Sequence, residues 1–399
     1  MRWIRGGVTA AEGFIASGVS AGIKRGRKLD LALVSAQEPS AAAAVFTSNR
    51  VQAAPVLISK ARVRSGLARA VLINSGCANC MTGAAGYRDA MRLSRVVAQP
   101  LGIPESQVLI ASTGIIGRRL PVQRIERAIP RLVAQRSRAH HAEAAQAILT
   151  TDLHVKEAAV ELVIGGHRCR LGGMIKGSGM IAPSMATMLS VVTTDVAIAP
   201  VLLRRLLRNA VGQTCNAISV DGDMSTNDTV FALASGCSGA IVRPGRLGER
   251  QFAHALTMLL QRLAELLVAD GEGASRIMEV HVTGAKTSRQ AQACARQVAL
   301  SPLVKTMLAG ADPNVGRVAA AAGASGAVFD PQRLEMFIGP RRVVAGGAAL
   351  PLGKAVARRL LRQPKVVVRL ELHAGSSEGR MLTCDLTEEY VRINARYST

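Results

Sequence analysis

Residues 171–195, LGGMIKGSGMIAPSMATMLSVVTTD, are dominated by Gly, Ala, Ser, Thr and Met and carry one basic and one acidic side chain, Lys176 and Asp195. A hydroxyl becomes a nucleophile when a base takes its proton, and a Ser or Thr at a newly made N-terminus can use its own α-amine as that base. An α-amine with a pKa of about 7.7–8.0 is substantially neutral near physiological pH, so it can do this work. Such a residue has to be created by chain cleavage. The bond between Ala186 and Thr187 suits the purpose, because Thr187 Oγ can attack the preceding carbonyl and the small Ala186 obstructs it little. By itself the pattern is weak, since Thr also fills buried strands. The glycines of the stretch permit close backbone approach and positive φ, which favours a tight site over a core strand.

Other chemistries fail on spacing. Gly347 and Gly353-Lys354 resemble a phosphate-binding loop, but the glycines stand one residue too far apart and Ala355 replaces the metal-binding Ser or Thr. DGDMST at 221–226 begins like a calcium loop, yet Thr226 stands where the turn Gly belongs and Ala232 where the bidentate Glu belongs. Neither GxSxG nor HExxH occurs. Cys77 and Cys80 form a CxxC with no second pair to complete a zinc site, so they read as small buried thiols beside a turn. No metal and no organic cofactor is expected.

The 399 residues carry a formal charge of +23, which invites a nucleic-acid reading. That reading needs clustered charge and stacking platforms. The Lys and Arg are instead spread along the chain, as in RRLLR at 204–208, and aromatic residues make up only 3%. Nucleic acid is therefore not expected as a partner, nucleic-acid binding stands only as the second functional class, and anionic small substrates account for the balance as well. The opening MRWIRGGVTAAEGF breaks into Gly and Glu before an apolar segment forms, so a secretory signal is not expected. No uninterrupted apolar run reaches the roughly 18 residues of a membrane helix. Seven scattered cysteines, an odd number, argue for reduced thiols and a cytoplasmic setting.

Short apolar runs bounded by Gly, Ser or Asn read as strands at 31–36, 55–59, 69–76 and 107–114. Apolar residues at three and four spacing predict helices at 121–135, 201–211 and 249–270. A strand is expected at 365–375 and a final strand-like stretch near 380–394. Mixed α/β layers follow.

KGSGMIAPSMATMLS at 176–190 resembles the cleavage motif of the ornithine acetyltransferase family, the bifunctional glutamate N-acetyltransferases/amino-acid acetyltransferases of arginine biosynthesis. The likeness runs along essentially the whole chain. GGVTAAEGF at 6–14, NSGCANCMTG at 74–83, ASTGIIGRRL at 111–120, TTD at 150–152, ISVDGDMSTNDT at 218–229, VADGEGAS at 268–275, GADPNVGR at 310–317 and YVRINARYST at 390–399 appear in the family's order.

The resemblance implies a mixed layered α/β fold like that of self-processing N-terminal-nucleophile-type enzymes. It implies an α chain 1–186 and a β chain 187–399 that stay associated as a heterotetramer. Thr187 matches the residue that drives cleavage and then carries the acetyl group, while Thr113 and Gly114 match the oxyanion hole. A side-chain hydroxyl and a backbone N–H can converge on a developing oxyanion. Lys176 matches a substrate contact, its ammonium suited to the carboxylate common to ornithine and glutamate. Thr150, Glu272, Asn394 and Thr399 match the remaining contacts, with Thr151 the alternative to Thr150. The implied reaction is ping-pong transfer of acetyl from N-acetylornithine to glutamate, with acetyl-CoA left open as a second donor. A self-processing aminopeptidase or amidase, using water as acceptor, is the neighbouring possibility. Ser184, Met224, Val315, Cys77 and Cys80 depart from the family pattern, and none removes a catalytic atom.

Overall fold

The computed structural model describes residues 1–182 and 188–396. It divides into two compact units. The described residues of the first are 1–180, 188–216 and 223–267, and those of the second are 181–182, 217–222 and 268–396.

The first unit is built on one hydrogen-bonded sheet of nine strands: β1 (Arg2–Ile4), β2 (Phe14–Val19), β3 (Leu31–Phe46), β4 (Leu67–Cys77), β5 (Val108–Ile115), β6 (Lys156–Ile164), β7 (His167–Lys176), β8 (Leu189–Thr194) and the strand Thr229–Ala234. Their order is β1-β6-β7-β8, then Thr229–Ala234, then β3-β4-β5, with β2 also on β3. The 16-residue β3 belongs to two halves of this sheet. Its Leu31–Ala36 half pairs with β2, its Ala41–Phe46 half pairs with Thr229–Ala234, and its register against β4 shifts between Ser35 and Ser40.

The sheet folds over at that bend. One buried cluster holds Val34, Ile73 and Leu109 from the β2–β5 half together with Met174, Val191 and Phe231 from the other half, so the two halves pack face to face. Alternate residues of the same strands point the opposite way: Leu31, Leu33, Leu72 and Ile110 pack under the helices Ala54–Arg62, Gly83–Leu101 and Val122–Ala134. Strands buried on both faces read as unbroken apolar runs, which is why they stand out in the sequence. On the outer side of β7, Gly173 admits the helix Leu247–Ala269, since a Cβ there would come 2.9 Å from Leu263 Cδ1. The result is the layered α/β arrangement expected, helix on sheet on sheet on helix.

Three expectations need correction. Residues 55–59 are helical, not a strand: Pro55 occupies the start of the helix Ala54–Arg62, and Val56 and Ile58 are buried while Leu57 faces out. The Gly-rich stretch 171–195, read above as favouring a tight site over a core strand, also supplies core strand, at the end of β7 and in the whole of β8. The final stretch is a strand only over Ser377–Cys384, and Glu388–Arg396 is a helix. Among the described residues Leu247–Ala269 is long and apolar enough to cross a membrane, with a mean hydropathy of 1.3; half of that apolar stretch is buried within the protein, as a core helix would be.

The second unit has its own seven-stranded sheet, centred on Ile277–Ala285 between Lys365–Glu371 and Ser377–Cys384. Alternating Met278, Val280 and Val282 bury against Ala291, Cys294, Ala295 and Val298 of the helix Ser288–Leu300. Thr287 caps that helix by accepting the Gln290 N–H.

Candidate active site

β4 and β5 run parallel, with Ser75 opposite Thr113 and Gly76 opposite Gly114. The Thr113 side chain is buried at the strand's end, and Gly114 takes φ +125°. No other residue fits position 114, because a Cβ would come within 2.4 Å of the Gly76 carbonyl carbon and 2.6 Å of Cys77 N. Asn227 braces the turn from the other half of the sheet, its Nδ2 donating to the Ala78 and Ser112 carbonyls at 2.7 and 2.8 Å. Ser112 Oγ in turn donates to Asn74 Oδ1 at 2.6 Å.

Lys176 ends β7, in the opposite half of the folded sheet, and only 3% of the residue is exposed. Its Nζ donates to Thr113 Oγ1 at 3.2 Å. The two sheet halves are thus bridged at one end of the sandwich by the ammonium of one predicted residue and the hydroxyl of another.

Asp152 gathers the remaining groups. Its Oδ1 accepts from Lys156 Nζ at 2.7 Å and from the Gly177 N–H at 2.6 Å, and its Oδ2 accepts from the Thr150 N–H at 2.9 Å. The Asp152 and Lys156 side chains are 0% and 1% exposed. Burial alone would raise the Asp152 pKa, but the Lys176 and Lys156 cations and the Thr150 N–H hold it well below the usual carboxylate range. Thr151 Oγ1 lies 2.6 Å from Ser178 Oγ, so both threonines of the pair are tied to the segment following Lys176.

Lys24 completes the group by donating from Nζ to the Leu149 carbonyl at 2.7 Å and the Leu29 carbonyl at 2.8 Å. Burial, reinforced by Lys176, lowers its pKa to about 8 against the opposing pull of Asp30 and Asp152.

The first unit therefore brings together Thr113, Gly114, Thr150 and Lys176. Asp152, Lys156, Lys24 and Asn227 were not anticipated from the sequence. Asp152 and Asn227 nevertheless lie inside TTD and ISVDGDMSTNDT, where a buried acid or amide within a recognisable motif is the available signal. In the second unit Asn394 Nδ2 donates to Glu272 Oε2 at 2.8 Å and to the Tyr390 carbonyl at 3.1 Å, which places these two predicted contacts side by side. Tyr390 OH donates to Asp221 Oδ2 at 3.3 Å, and Asp221 Oδ1 accepts the Ile181 N–H at 2.9 Å. Ala186, Thr187 and Thr399, with Ser184, lie outside the described residues.

Cys77 and Cys80 are buried and direct their thiols to the Arg118 and Val51 carbonyls, beside a turn in which Asn79 and Met81 have φ of 48° and 55°. Burial pushes the Cys77 thiol up, which keeps it protonated. Among the described residues no group of three or more His, Cys, Asp or Glu is placed to hold a metal ion.

Comparison with known proteins identifies the family. The ArgJ family profile matches residues 15–399. "Arginine biosynthesis bifunctional protein ArgJ" of Symbiobacterium thermophilum is 46% identical over 403 residues, covering 100% of both chains. The protein of the same name from Geobacter sulfurreducens is 45% identical over 391 residues, covering 97% of this chain and 99% of its own. Among solved structures, the arginine biosynthesis bifunctional protein argJ of Bacillus halodurans is similar with a TM-score of 0.50 at 36% identity, covering 51% of this chain and 96% of that one. With a profile match spanning nearly its full length, the chain belongs to the ArgJ family.

Proposed function

We propose that this protein is a self-cleaving acyltransferase of arginine biosynthesis that moves an acetyl group from N-acetylornithine to glutamate. The chain is cut between Ala186 and Thr187, and the products 1–186 and 187–399 remain together as a heterotetramer in the cytoplasm. No cofactor takes part. The observation that carries the reading is the buried bridge from Lys176 Nζ to Thr113 Oγ1, beside the obligate glycine at 114. Leu189, two residues after Thr187 in the chain, is the β partner of Lys176. The names of the full-length relatives support the pathway. A solved relative whose own chain corresponds to about half of this one suits a protein that works as two fragments.

In the proposed reaction the Thr187 α-amine takes the hydroxyl proton as Oγ bonds to the acetyl carbonyl carbon. The carbonyl's electron pair moves onto oxygen, where Thr113 Oγ1–H and the Gly114 N–H donate to it. Collapse breaks the carbon–nitrogen bond, and the proton passes from the α-ammonium to the departing amine of ornithine. An acetyl ester on Thr187 remains. Glutamate's amine then attacks that ester, losing its proton to the α-amine; the carbon–oxygen bond breaks and the Thr187 hydroxyl is restored. Thr150, Lys176, Glu272, Asn394 and Thr399 hold the amino-acid portions of the substrates.

The test is incubation with N-acetylornithine alone. One acetyl mass should appear on the fragment that begins at Thr187, with ornithine released, and glutamate should discharge it. Double-reciprocal plots at several acceptor concentrations should be parallel. Intersecting lines without an acetylated fragment would overturn the ester, and release of acetate at equal rate with and without glutamate would make the protein an amidase. Acetyl-CoA in place of N-acetylornithine decides the second donor.

A further inference from the structure

Resting on that reading, we propose that Lys24 is a positioning residue for Thr150: its ammonium fixes the peptide unit that joins Leu149 to Thr150 and ties it to the turn beside Gly114. A peptide unit is planar and rigid, so holding its oxygen and its N–H together sets the direction in which the next side chain leaves. Here both ends are held. The Leu149 oxygen accepts from Lys24 Nζ at 2.7 Å, while the Thr150 N–H at 2.9 Å and its hydroxyl at 3.4 Å donate to Asp152 Oδ2. Asp152 is anchored in turn by Lys156 Nζ and the Gly177 N–H, which share its Oδ1. Without the grip on the oxygen, the plane is free to turn about the Asp152 bonds and to carry the Thr150 side chain with it.

Lys24 reaches Leu149 from the oxyanion turn itself. A Cβ built on Gly76 would come 3.0 Å from Lys24 Cγ and 3.1 Å from Ile23 Cγ2, so the lysine stem lies on the β4 residue that pairs with Gly114. Asp30 shapes the segment that presents it. This fully buried carboxylate accepts the N–H groups of Ala21, Ile23 and Lys24 at 2.6, 2.7 and 3.0 Å, and the Asp30 carbonyl accepts the Ser75 N–H at 2.9 Å. Ser75 Oγ donates onward to the Ala147 carbonyl at 2.5 Å. The chain leading into Thr150 is thus tied to β4 directly at Ala147, by Ser75, and again at Leu149, by Lys24. Lys24 Nζ also donates to the Leu29 carbonyl at 2.8 Å. An ammonium has three donors and no acceptor, so it can join two carbonyls from distant segments with charge-assisted bonds. Asp30 and Asp152 favour its charged form against burial and the Lys176 and Lys28 cations.

The test is a double-mutant cycle between Lys24 and Thr150, read on KM for N-acetylornithine at saturating glutamate. Thr150→Ala should raise KM about fivefold or more, the scale of one hydrogen bond. Lys24→Met keeps the stem on Gly76 and removes the donors; it should raise KM by about three- to tenfold and leave kcat within about threefold, since ground-state holding is what it loses. The double variant should match Thr150→Ala alone within about twofold, because the peptide unit then has no contact left to aim. Release of the Leu29 carbonyl, or general loosening, acts in both backgrounds and would show as a remaining loss in the double variant. Lys24→Gln, which keeps a donor, goes through the same cycle and should fall between wild type and Lys24→Met, so a poorly folding methionine variant does not decide the matter. Thermal melting shows that each variant is folded at the assay temperature, and a denaturing gel should show cleavage complete. A lowered kcat at unchanged KM, a double variant showing the product of the two single losses, or a folded Lys24→Met that stays uncleaved would overturn the role of Lys24 while leaving wild-type acyl transfer intact. An unchanged KM in Thr150→Ala would take Thr150 out of the substrate site and this role with it. A wild-type protein that transfers no acetyl group would overturn the acyl-transfer reading and, with it, this role.

Discussion

Asp152 Oδ1 and the Gly177 N–H meet at 2.6 Å, so the buried carboxylate that pairs with Lys156 also fixes the backbone beside Lys176. Asp152→Asn should therefore be costly. The amide has one accepting oxygen in place of two, so its nitrogen would face the Thr150 N–H donor against donor, and Lys156 would be left without its countercharge. Losing one partner of a buried pair typically costs about 3–5 kcal/mol. Because the folded-state pKa of Asp152 lies below its unfolded value, its contribution is present above the unfolded carboxylate pKa of about 3.9 and is lost as pH falls below it. Urea titrations should show a large gap between wild type and variant at pH 7 that narrows below pH 4; a gap independent of pH would mean that charge is not its source.

Thr187→Ala should give one band on a denaturing gel where the wild type gives two. Divided in proportion to 186 and 213 of 399 residues, the 41.8 kDa chain yields fragments of about 19 and 22 kDa. Mass spectrometry should find Thr187 at the new N-terminus, and any other first residue would remove it as nucleophile.

Gly114→Ala tests the turn after Thr113. The added methyl would meet backbone atoms of Gly76 and Cys77, which cannot rotate away, at a φ that L residues avoid. Cleavage and transfer should both be lost, or the chain should fail to fold. Gly117→Ala is the control: φ is +81° but nothing lies within 4 Å of its Cβ, so the cost is limited to about 1–2 kcal/mol of backbone strain. A Gly114→Ala variant that cleaves at the wild-type rate would show that β5 does not need its close approach to β4.

Lys24 predicts an alkaline effect. Its pKa of about 8 when folded lies below its ordinary value of 10.5, so between these values the unfolded chain binds more protons and stability rises with pH from this group. Lys24→Met also strips the Leu29 and Leu149 carbonyls of a donor and should be less stable throughout. The informative quantity is the slope. From pH 8 to 10 the variant should lose the stabilising increment that the wild type gains, and equal slopes would show that Lys24 is not titrating there.

How much of this was legible in the sequence depends on what each residue answers to. Leu31, Leu33, Leu72 and Ile110 lie in strands covered on both faces, so their segments announce themselves as apolar runs. The same rule misleads at 55–59, where a short apolar run serves a helix equally well and Pro55 is the deciding signal. The bend in β3 was not legible: Gln37, Glu38 and Pro39 are exposed and read as a turn ending a strand at Ala36, yet the strand continues to Phe46 in the other half of the sheet. Thr113 and Lys176 were readable only by resemblance, since their meeting depends on that fold-over. Lys24 and Asp152 respond to burial and to distant partners, Leu149 125 residues from Lys24 and Gly177 25 residues from Asp152, which no local pattern records.

β8 and the strand Thr229–Ala234, both downstream of Thr187, lie side by side in the sheet between β7 and β3, both upstream of it. A cut before Thr187 therefore leaves each product holding the other's strands on two edges. The cleaved protein cannot unfold as one molecule: melting the sheet releases two separate chains, and re-forming it requires them to collide. Its midpoint should accordingly rise with protein concentration, as for any assembly whose folded state binds a partner that the unfolded state does not. The uncleaved Thr187→Ala chain, folding by itself, should lack that contribution, so the proposed self-cleavage would change the molecularity of folding while leaving the fold in place.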